Sequence, residues 1–497
     1  MAYYPIKCVR CAHVMKNDEV LFDTSDTIVT LTGQLGFVAD EEYEEETPKE
    51  DSFLDDDGSD DAQPSLSSGF FFDEEPEKKE EPEFKTVGKR KFGKYMRYAQ
   101  IKAFCEENGG SCEPEYQPVS VTPDFRGKVP ESEKNADLLV KVRFKKDRND
   151  KESEATRRVC PVCGCEIPAQ SGSMPTYNVT LMGTSASGKT VYLCALNHAL
   201  MNNLGILPYN GNLSCISASR SNTDLLNKSN ELFDNGVLPG TTQIVYTEPL
   251  VVQMTFTLGR YRKRCLLALS DMRGEDFSNE AGVNLQQKGV IFSSADAFMM
   301  LISPLNMGTI SAKLMVQGTG EEYNTGVHHS MMTNISQYIL PNFRNGVITA
   351  PSTIMLSKCD ELMRNKDILS EIIEPFNPVV TPEPKIKYTG TYFKSQSEGT
   401  RKIVKTDPVL YNGLVNIFRG AYFSSFSSLG IGAQIEKQGD DKVVRNPLMI
   451  RPVRVLDSML YILIRLGFLP EYYGIEYGPN FNASNAKILQ KWVDNCT

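Results

Sequence analysis

The stretch Gly183-Thr184-Ser185-Ala186-Ser187-Gly188-Lys189-Thr190 decides how this chain reads. It fits the pattern G-x-x-x-x-G-K-[ST], and it stands between an apolar run, YNVTLM (177–182), and a helical pattern over Thr190–Asn203. Glycines let such a loop wrap closely around an anion. Its backbone N–H groups and the following helix N-terminus then point at negative charge. In this pattern the lysine reaches the β- and γ-phosphates and the hydroxyl of the last residue takes Mg²⁺, which assigns those tasks to Lys189 and Thr190. At the average glycine usage of about 7%, a chance match arises in on the order of a few per cent of chains this long. The strand before it and the helix after it are the context the mechanism requires.

Outward from the loop, short apolar runs alternate with helical patterns, the texture of βα units and a mainly parallel sheet. The runs that read as strands are 177–182, 250–258, 264–270, 297–303, 352–357 and 421–427. Helix candidates are Thr190–Asn203, Asn222–Asn235, Val327–Leu340 and Val453–Leu466, and no internal repeat is visible. The expected fold class is therefore α/β over residues 177–497.

Three strand ends carry further chemistry. The run 264–270 is followed by Asp271-Met272-Arg273-Gly274. A carboxylate at the tip of a buried strand suits a second Mg²⁺ contact. Gly274 would let its N–H come close to a γ-phosphate. D-x-x-G alone is weak, since about one or two arise by chance in a chain this size; its position gives it value. The run 352–357 ends in Ser357-Lys358-Cys359-Asp360. This resembles the [NT]-K-x-D guanine-specificity motif of P-loop GTPases, which implies that the Asp360 carboxylate would accept the N1–H and 2-amino hydrogens of guanine, donors that adenine lacks at that edge, and that the Lys358 stem would pack over the base. The run 421–427 leads into Ser427-Ser428-Leu429-Gly430, which looks like a variant of that family's S-A-[KL] loop, whose backbone N–H groups meet the guanine oxygen. Thr241 or Thr242, between the first helix and strand 250–258, is the candidate γ-phosphate-sensing threonine.

The order of these segments resembles the P-loop GTPase superfamily (TRAFAC-like) over about residues 177–470. Ser357 stands where that family has Asn or Thr, the weakest point of the match. The spacings are longer than in small members and imply insertions at about 203–240, 306–348 and 362–418. With a cysteine cluster ahead and RPVRVLDSMLYILIRLGFLP at the end, the chain looks most like the bacterial double-GTPase type. The resemblance implies a Mg²⁺-dependent GTP/GDP switch in a multi-component system, including conflict or defence systems. It also implies protein partners that sense the nucleotide state, a second GTPase among them. Where many relatives carry a water-orienting glutamine, this chain has Glu275, which would sit near a negative γ-phosphate. Slow turnover without a partner follows. Arg273 is a charge-stabilising candidate in cis, or an exposed switch or partner contact. An ATPase reusing the loop, and a nucleotide-binding scaffold with vestigial hydrolysis, are the competing readings.

Ahead of the loop, Cys8-Val-Arg-Cys11 and Cys160-Pro-Val-Cys163-Gly164 have the form of two zinc knuckles that together give tetrahedral S₄ coordination of Zn²⁺. They are separated by 148 residues, which reads as a small zinc ribbon split by an insertion. Cys165 and His13 are alternative ligands; Cys105 and Cys112 could form another site, though they read better as ordinary small residues. The expected organisation is 1–38 first ribbon half, 39–84 acidic disordered insertion, 85–159 basic accessory region opening with a basic helix, 160–176 second knuckle and linker, and 177–497 nucleotide domain.

Charge is uneven along the 497 residues. From Asp40 to Glu83 the net charge is −17, so the overall −10 leaves +7 for the rest. An acidic folded body is thereby excluded. The run 85–102 is compatible with nucleic-acid contact, a solvated face, or contact with the acidic segment. The longest apolar stretch near the C-terminus, Met459–Leu466, is far short of the roughly 20 residues of a membrane span. The N-terminus lacks a secretory apolar core, which makes the cytoplasm the expected compartment. His328-His329 reads as helix surface, and Met299-Met300 as core.

Overall fold

The computed structural model describes residues 4–25, 92–119, 136–184, 187–201, 206–207, 211–218, 223–240, 249–258, 261–272, 292–315, 326–365, 367, 369–370, 390–439 and 441–469. Its centre is an eight-stranded mixed sheet. The strands are β10 (Thr176–Gly183), β11 (Ile206–Leu207), β12 (Gly211–Ser217), β13 (Leu250–Leu258), β14 (Tyr261–Asp271), β15 (Ala297–Ile302), β16 (Ser352–Leu356) and β17 (Tyr422–Ser425). Their order is β11-β12-β13-β14-β10-β15-β16-β17. Five neighbours, from β14 through β10, β15 and β16 to β17, run parallel. The other edge is antiparallel: β13 pairs with β14, β12 with β13 and β11 with β12. The expectation of a mainly parallel sheet thus needs a correction on one side, because β11 and β12 extend the edge from within 203–240. Their sequence hid them. Among the described side chains of β12 only Leu213 is buried, so it lacks the continuous apolar run of its neighbours.

Consecutive residues of the central strands serve opposite faces, as the pleat requires. Leu181, Met299 and Met355 pack into one core, with Leu196 of α2 (Lys189–Met201) and Leu463 of α9 (Asp457–Arg465). Met182, Met300 and Ile354 pack into the other core. There they meet Ile310 of α4 (Gly308–Met315), Met331 of α5 (Gly326–Asn334) and Leu414 of α8 (Pro408–Ile417). All six residues of β15 are buried, the signature of a strand covered by helices on both sides. Each fully buried Leu or Met contributes about 1.5–3 kcal/mol. Helix α8 starts sharply: Pro408 opens it and the Asp407 carboxylate accepts the Leu410 N–H at 3.1 Å. Helix α3 (Thr223–Asn230) runs into a wider π turn at 231–235 and stops at Gly236, where φ is +75°. A side chain on Gly236 would meet the Val444 carbonyl at 2.6 Å. Val444 lies on the hairpin β18 (Ile435–Gln438)–β19 (Asp441–Val444).

The N-terminal region joins across its sequence gap. β3 (Leu21–Asp23) pairs with both β4 (Tyr95–Arg97) and β8 (Arg158–Val159), and β8 pairs with β9 (Glu166–Ile167). Between them α1 (Tyr98–Glu107) packs on a three-stranded sheet of β5 (Gly109–Val119), β6 (Ala136–Asp147) and β7 (Ser153–Ala155). Residues 92–119 and 136–155 therefore form a folded α-on-β unit, with Ile101, Cys105 and Phe144 in its core and Phe22 of β3 packed among them. The described part of the helix expected from residue 85 begins at Tyr98; residues 26–91, which include the acidic segment, lie outside the described residues. Cys105 packs in the core of this unit, and Cys112 lies partly buried against it.

One expectation for α5 is reversed. His329 is exposed, but His328 points into the core, and neither of its ring nitrogens has a hydrogen-bond partner. Burial disfavours the imidazolium and lowers the His328 pKa to about 4, with Asp407 opposing weakly. The unfolded chain takes up this proton near pH 6.5 and the folded chain only near 4. His328 stability is thus complete above pH 6.5 and is lost as pH falls toward 4, by about 3 kcal/mol. Replacing His328 by Leu is expected to flatten that part of a stability-versus-pH curve measured by urea unfolding. An unchanged acid limb would contradict it.

Candidate functional site

The carboxyl ends of the parallel strands meet along one edge of the sheet. Gly183, Leu301, Met355 and Ser424 pair in one row across β10, β15, β16 and β17, and Asp271 pairs with Leu181 on the other side of β10. The segments singled out in the sequence therefore emerge side by side, although up to 244 positions separate Gly183 from Ser427.

The glycine loop leaves β10 at Gly183. A Cβ there would lie 2.7 Å from the Leu301 carbonyl, so only glycine passes. Gly188 has φ of +87°, and a Cβ there would meet nothing within 4 Å. Lys189, largely buried, curls back and its Nζ donates to the carbonyls of Gly183 (2.9 Å) and Thr184 (3.0 Å). The ammonium thus lies against the loop itself. The Thr184 and Ser187 hydroxyl oxygens are buried without hydrogen-bond partners. Buried polar atoms of this kind are rare unless a ligand meets them. A positive charge, unsatisfied donors and open space at Gly188 fit a phosphate. Thr190 sits half-buried in the first turn of α2, and Asp271 ends β14. Ser185, Ala186, Thr241, Thr242, Arg273, Gly274 and Glu275 lie outside the described residues.

The two loops at β16 and β17 are brought into contact. Ser357 is buried, and its N–H and hydroxyl both donate to the Ile302 carbonyl, at 3.0 and 3.2 Å. Lys358 has φ of +51°, the left-handed conformation, and directly precedes α6 (Cys359–Arg364). The Ser427 hydroxyl donates to Asp360 Oδ1 at 2.6 Å and accepts the Gly430 N–H at 2.8 Å. The Cys359 N–H reaches the Phe426 carbonyl at 3.2 Å. Ser428 and Leu429, both buried, complete the turn. A fixed carboxylate beside a tight loop can receive a planar donor pair.

Residues outside the sequence reading support this corner. Arg454, at φ of +59°, follows Val453, which pairs with Ser427. Its guanidinium donates to Ser425 Oγ (2.8 Å) and to Asp457 Oδ2 (3.0 Å), which also accepts the Tyr392 hydroxyl (2.8 Å). Asp457 is fully buried. Desolvation raises its pKa against the opposing Arg454 charge, while the Asp457 charge raises Arg454. The only signal in the sequence is a charged Arg-x-x-Asp inside an apolar helical run. Arg364 sits 3.4 Å from Asp360 Oδ2, four positions on along α6, an i,i+4 spacing carried by the sequence itself.

The cysteine cluster forms at the other side of β10. Cys8, Cys11, Cys160 and Cys163 place their sulfurs within 4.8 Å of one another. Cys8–Cys163 and Cys11–Cys160 are 3.6 and 3.7 Å apart, and all four are free thiols. A tetrahedral ion with bonds of about 2.3 Å separates its sulfurs by about 3.8 Å, so the four could hold a metal. The two turns match. The Cys8 and Cys160 N–H groups bond to the carbonyls of His13 and Cys165, at 2.9 Å each; Ala12 and Gly164 take φ of +54° and +69°. His13 and Cys165 occupy equivalent framing positions outside the four-sulfur cluster. Hydrogen bonding from Cys11 lowers Cys160 to about 6, and the same contact raises Cys11. The first turn is clipped to β10: Asn178 Nδ2 donates to the Cys8 carbonyl at 2.9 Å. Asp296 Oδ2 receives both Lys7 Nζ (2.6 Å) and the Asn178 N–H (2.7 Å).

No family model matches the chain. A curated relative is SaeC of Mycolicibacterium smegmatis, named for ESX-1 scaffolding and assembly, 25% identical over 230 residues. The match covers 44% of this chain and 56% of that protein, so the chain spans about half the length of its curated relative. Solved structures with some likeness include the signal recognition particle receptor SRb-GTP/SRX complex of Chaetomium thermophilum: TM-score 0.25, 14% identity, 52% of this chain and 92% of that one. Another is the Ski7 GTPase-like domain of S. cerevisiae bound to GTP: TM-score 0.26, 14% identity, 59% of this chain and 50% of that one. Among the described residues no helix is long and apolar enough to cross a membrane.

Breaking a buried pair leaves one charge uncompensated. Asp457→Ala is expected to destabilise the chain by about 3–5 kcal/mol, read by urea unfolding with fluorescence detection. A loss under about 1 kcal/mol would show that the pair does not hold this corner.

Proposed function

We propose that the chain is a guanine-nucleotide switch: it binds GTP and GDP with Mg²⁺ and hydrolyses GTP slowly until a partner assists. The observation that carries this reading is the Ser427–Asp360 contact at 2.6 Å, on the same sheet edge as the Gly183–Thr190 loop. It unites a phosphate cradle and a donor-seeking carboxylate, the two ends of a guanosine triphosphate.

In this reading the N–H groups of residues 183–190 and Lys189 bind the phosphates, and Lys189 exchanges its loop carbonyls for the β- and γ-oxygens. Thr190 and Asp271 would hold Mg²⁺, which neutralises charge on the phosphates when bound. Thr241 or Thr242 and Gly274 sense the γ-phosphate. Asp360 takes guanine N1–H and the 2-amino group, Lys358 covers the base face, and Ser428 and Leu429 offer backbone N–H groups to the guanine oxygen. Glu275 stands where a neutral amide would orient water, which keeps unassisted turnover slow. Arg273 serves as a charge-stabilising group or as a partner contact. In the four-cysteine cluster we place Zn²⁺. A closed S₄ site has no open position for chemistry, so it braces the fold and offers a docking edge.

A second reading is favoured by the likeness to SaeC. Here GTP stabilises a surface on which other proteins assemble, and hydrolysis is incidental. Both readings share the nucleotide site and put the chain within a protein assembly, and the likeness to an ESX-1 scaffolding and assembly protein supports that setting.

Asp360→Asn is expected to lower GTP affinity by about 100-fold and to create binding of XTP, whose 2-carbonyl accepts from the new amide. An unchanged GTP preference, measured by competition with a fluorescent analogue, would overturn the base assignment. For the cysteines, the purified chain is expected to carry one zinc. Removing it with a chelator should lower the melting temperature by more than about 5 °C. Protein with no metal and an unaltered melt in Cys160→Ser would refute the zinc assignment.

A further inference from the structure

We infer that Arg364 is a positioning residue that sets guanine discrimination through Asp360; the inference rests on reading the 357–360 and 427–430 loops as the base site. Asp360 and Arg364 share one face of α6 at i,i+4 spacing. Arg364 Nη2 lies 3.4 Å from Asp360 Oδ2. The same nitrogen donates to the carbonyls of Ile431 (3.5 Å) and Ala433, and Nη1 pairs with Glu361 Oε1. A planar guanidinium with five donors in a fixed fork is thus pinned from both loops at once. It cannot swing away from the carboxylate without releasing backbone carbonyls past Gly430.

The consequence is geometric. A carboxylate turns easily about its last torsion, which is broad and two-fold. The Ser427 hydroxyl anchors Oδ1 alone. The Arg364 charge on the Oδ2 side fixes the second point, and two points set the plane. Guanine presents two adjacent N–H donors, so it needs both oxygens in that plane. Inosine lacks the 2-amino group and needs one. Arg364 therefore favours GTP over ITP beyond any effect on the phosphates. If it only tied the loops together, its loss would weaken both nucleotides alike.

The test is competition of GTP, ITP and ATP against a fluorescent GTP analogue, on the full chain with Mg²⁺. Wild type, Arg364→Ala and Arg364→Lys are compared, with melting temperatures recorded. Arg364→Ala is expected to reduce the GTP-to-ITP preference by about tenfold, with Arg364→Lys recovering part of it. Should Arg364→Ala fail to fold, Arg364→Gln carries the same test, because it keeps a donor and loses the charge. An unchanged ratio, or an equal loss for GTP and ITP, overturns the inference. A wild-type chain that does not prefer GTP to ATP overturns the base-site reading, and this inference with it.

Discussion

Everything in the candidate site hangs from the parallel pairing of β10 with β14 on one side and β15 on the other. Parallel strands deliver their carboxyl ends to the same edge, and a loop leaving that edge faces its neighbours across one strand spacing. The Gly183 loop, Asp271, Ser357–Asp360 and Ser427–Gly430 are separated by long insertions, yet the sheet returns each to its row. Burial on both faces of β10 and β15 holds those rows fixed. A one-residue slip would exchange the two cores, since Leu181 and Met182 serve opposite sides. Position at the edge is thus enforced by hydrophobic packing far from any polar group.

The polar contacts refine what packing delivers. Gly183 admits the loop past Leu301, Lys189 draws it inward, and Ser427 and Arg364 grip Asp360 from two sides. Behind them the Arg454–Asp457 pair ties Ser425 to α9, so the corner formed by the 357–360 and 427–430 loops is braced from within the core. The opposite end of β10 is braced differently. There the cysteine turn meets Asn178, and Val9 packs against Val251, Leu266 and Ala268 of β13 and β14. A metal in that cluster would stiffen the strand that carries the loop.

Six strands of the eight-stranded sheet were legible because continuous apolar runs of β-branched and large residues leave little choice once both faces are covered. YNVTLM and AFMMLI fall within a residue or two of β10 and β15. Strand β12, second from the antiparallel edge, and the exposed hairpin β18–β19 bury few side chains and leave little pattern to read. The fold of residues 92–155 was hidden by their charge, which sits on the outer faces of strands such as β6, while Leu138, Val142 and Phe144 turn inward. Of the site, the residue types at each strand tip were visible, but their contacts were not. Arg364 and Arg454 act through partners placed by the fold, and His328 is buried by helix rotation that a His-His pair does not reveal.

The most direct measurement is the nucleotide retained by the full chain purified gently in Mg²⁺ and identified by chromatography after denaturation. Near-stoichiometric GDP or GTP, lost in Lys189→Ala, is the predicted result. Bound adenine nucleotide, or a chain that neither retains nor rebinds guanine nucleotide, would contradict it.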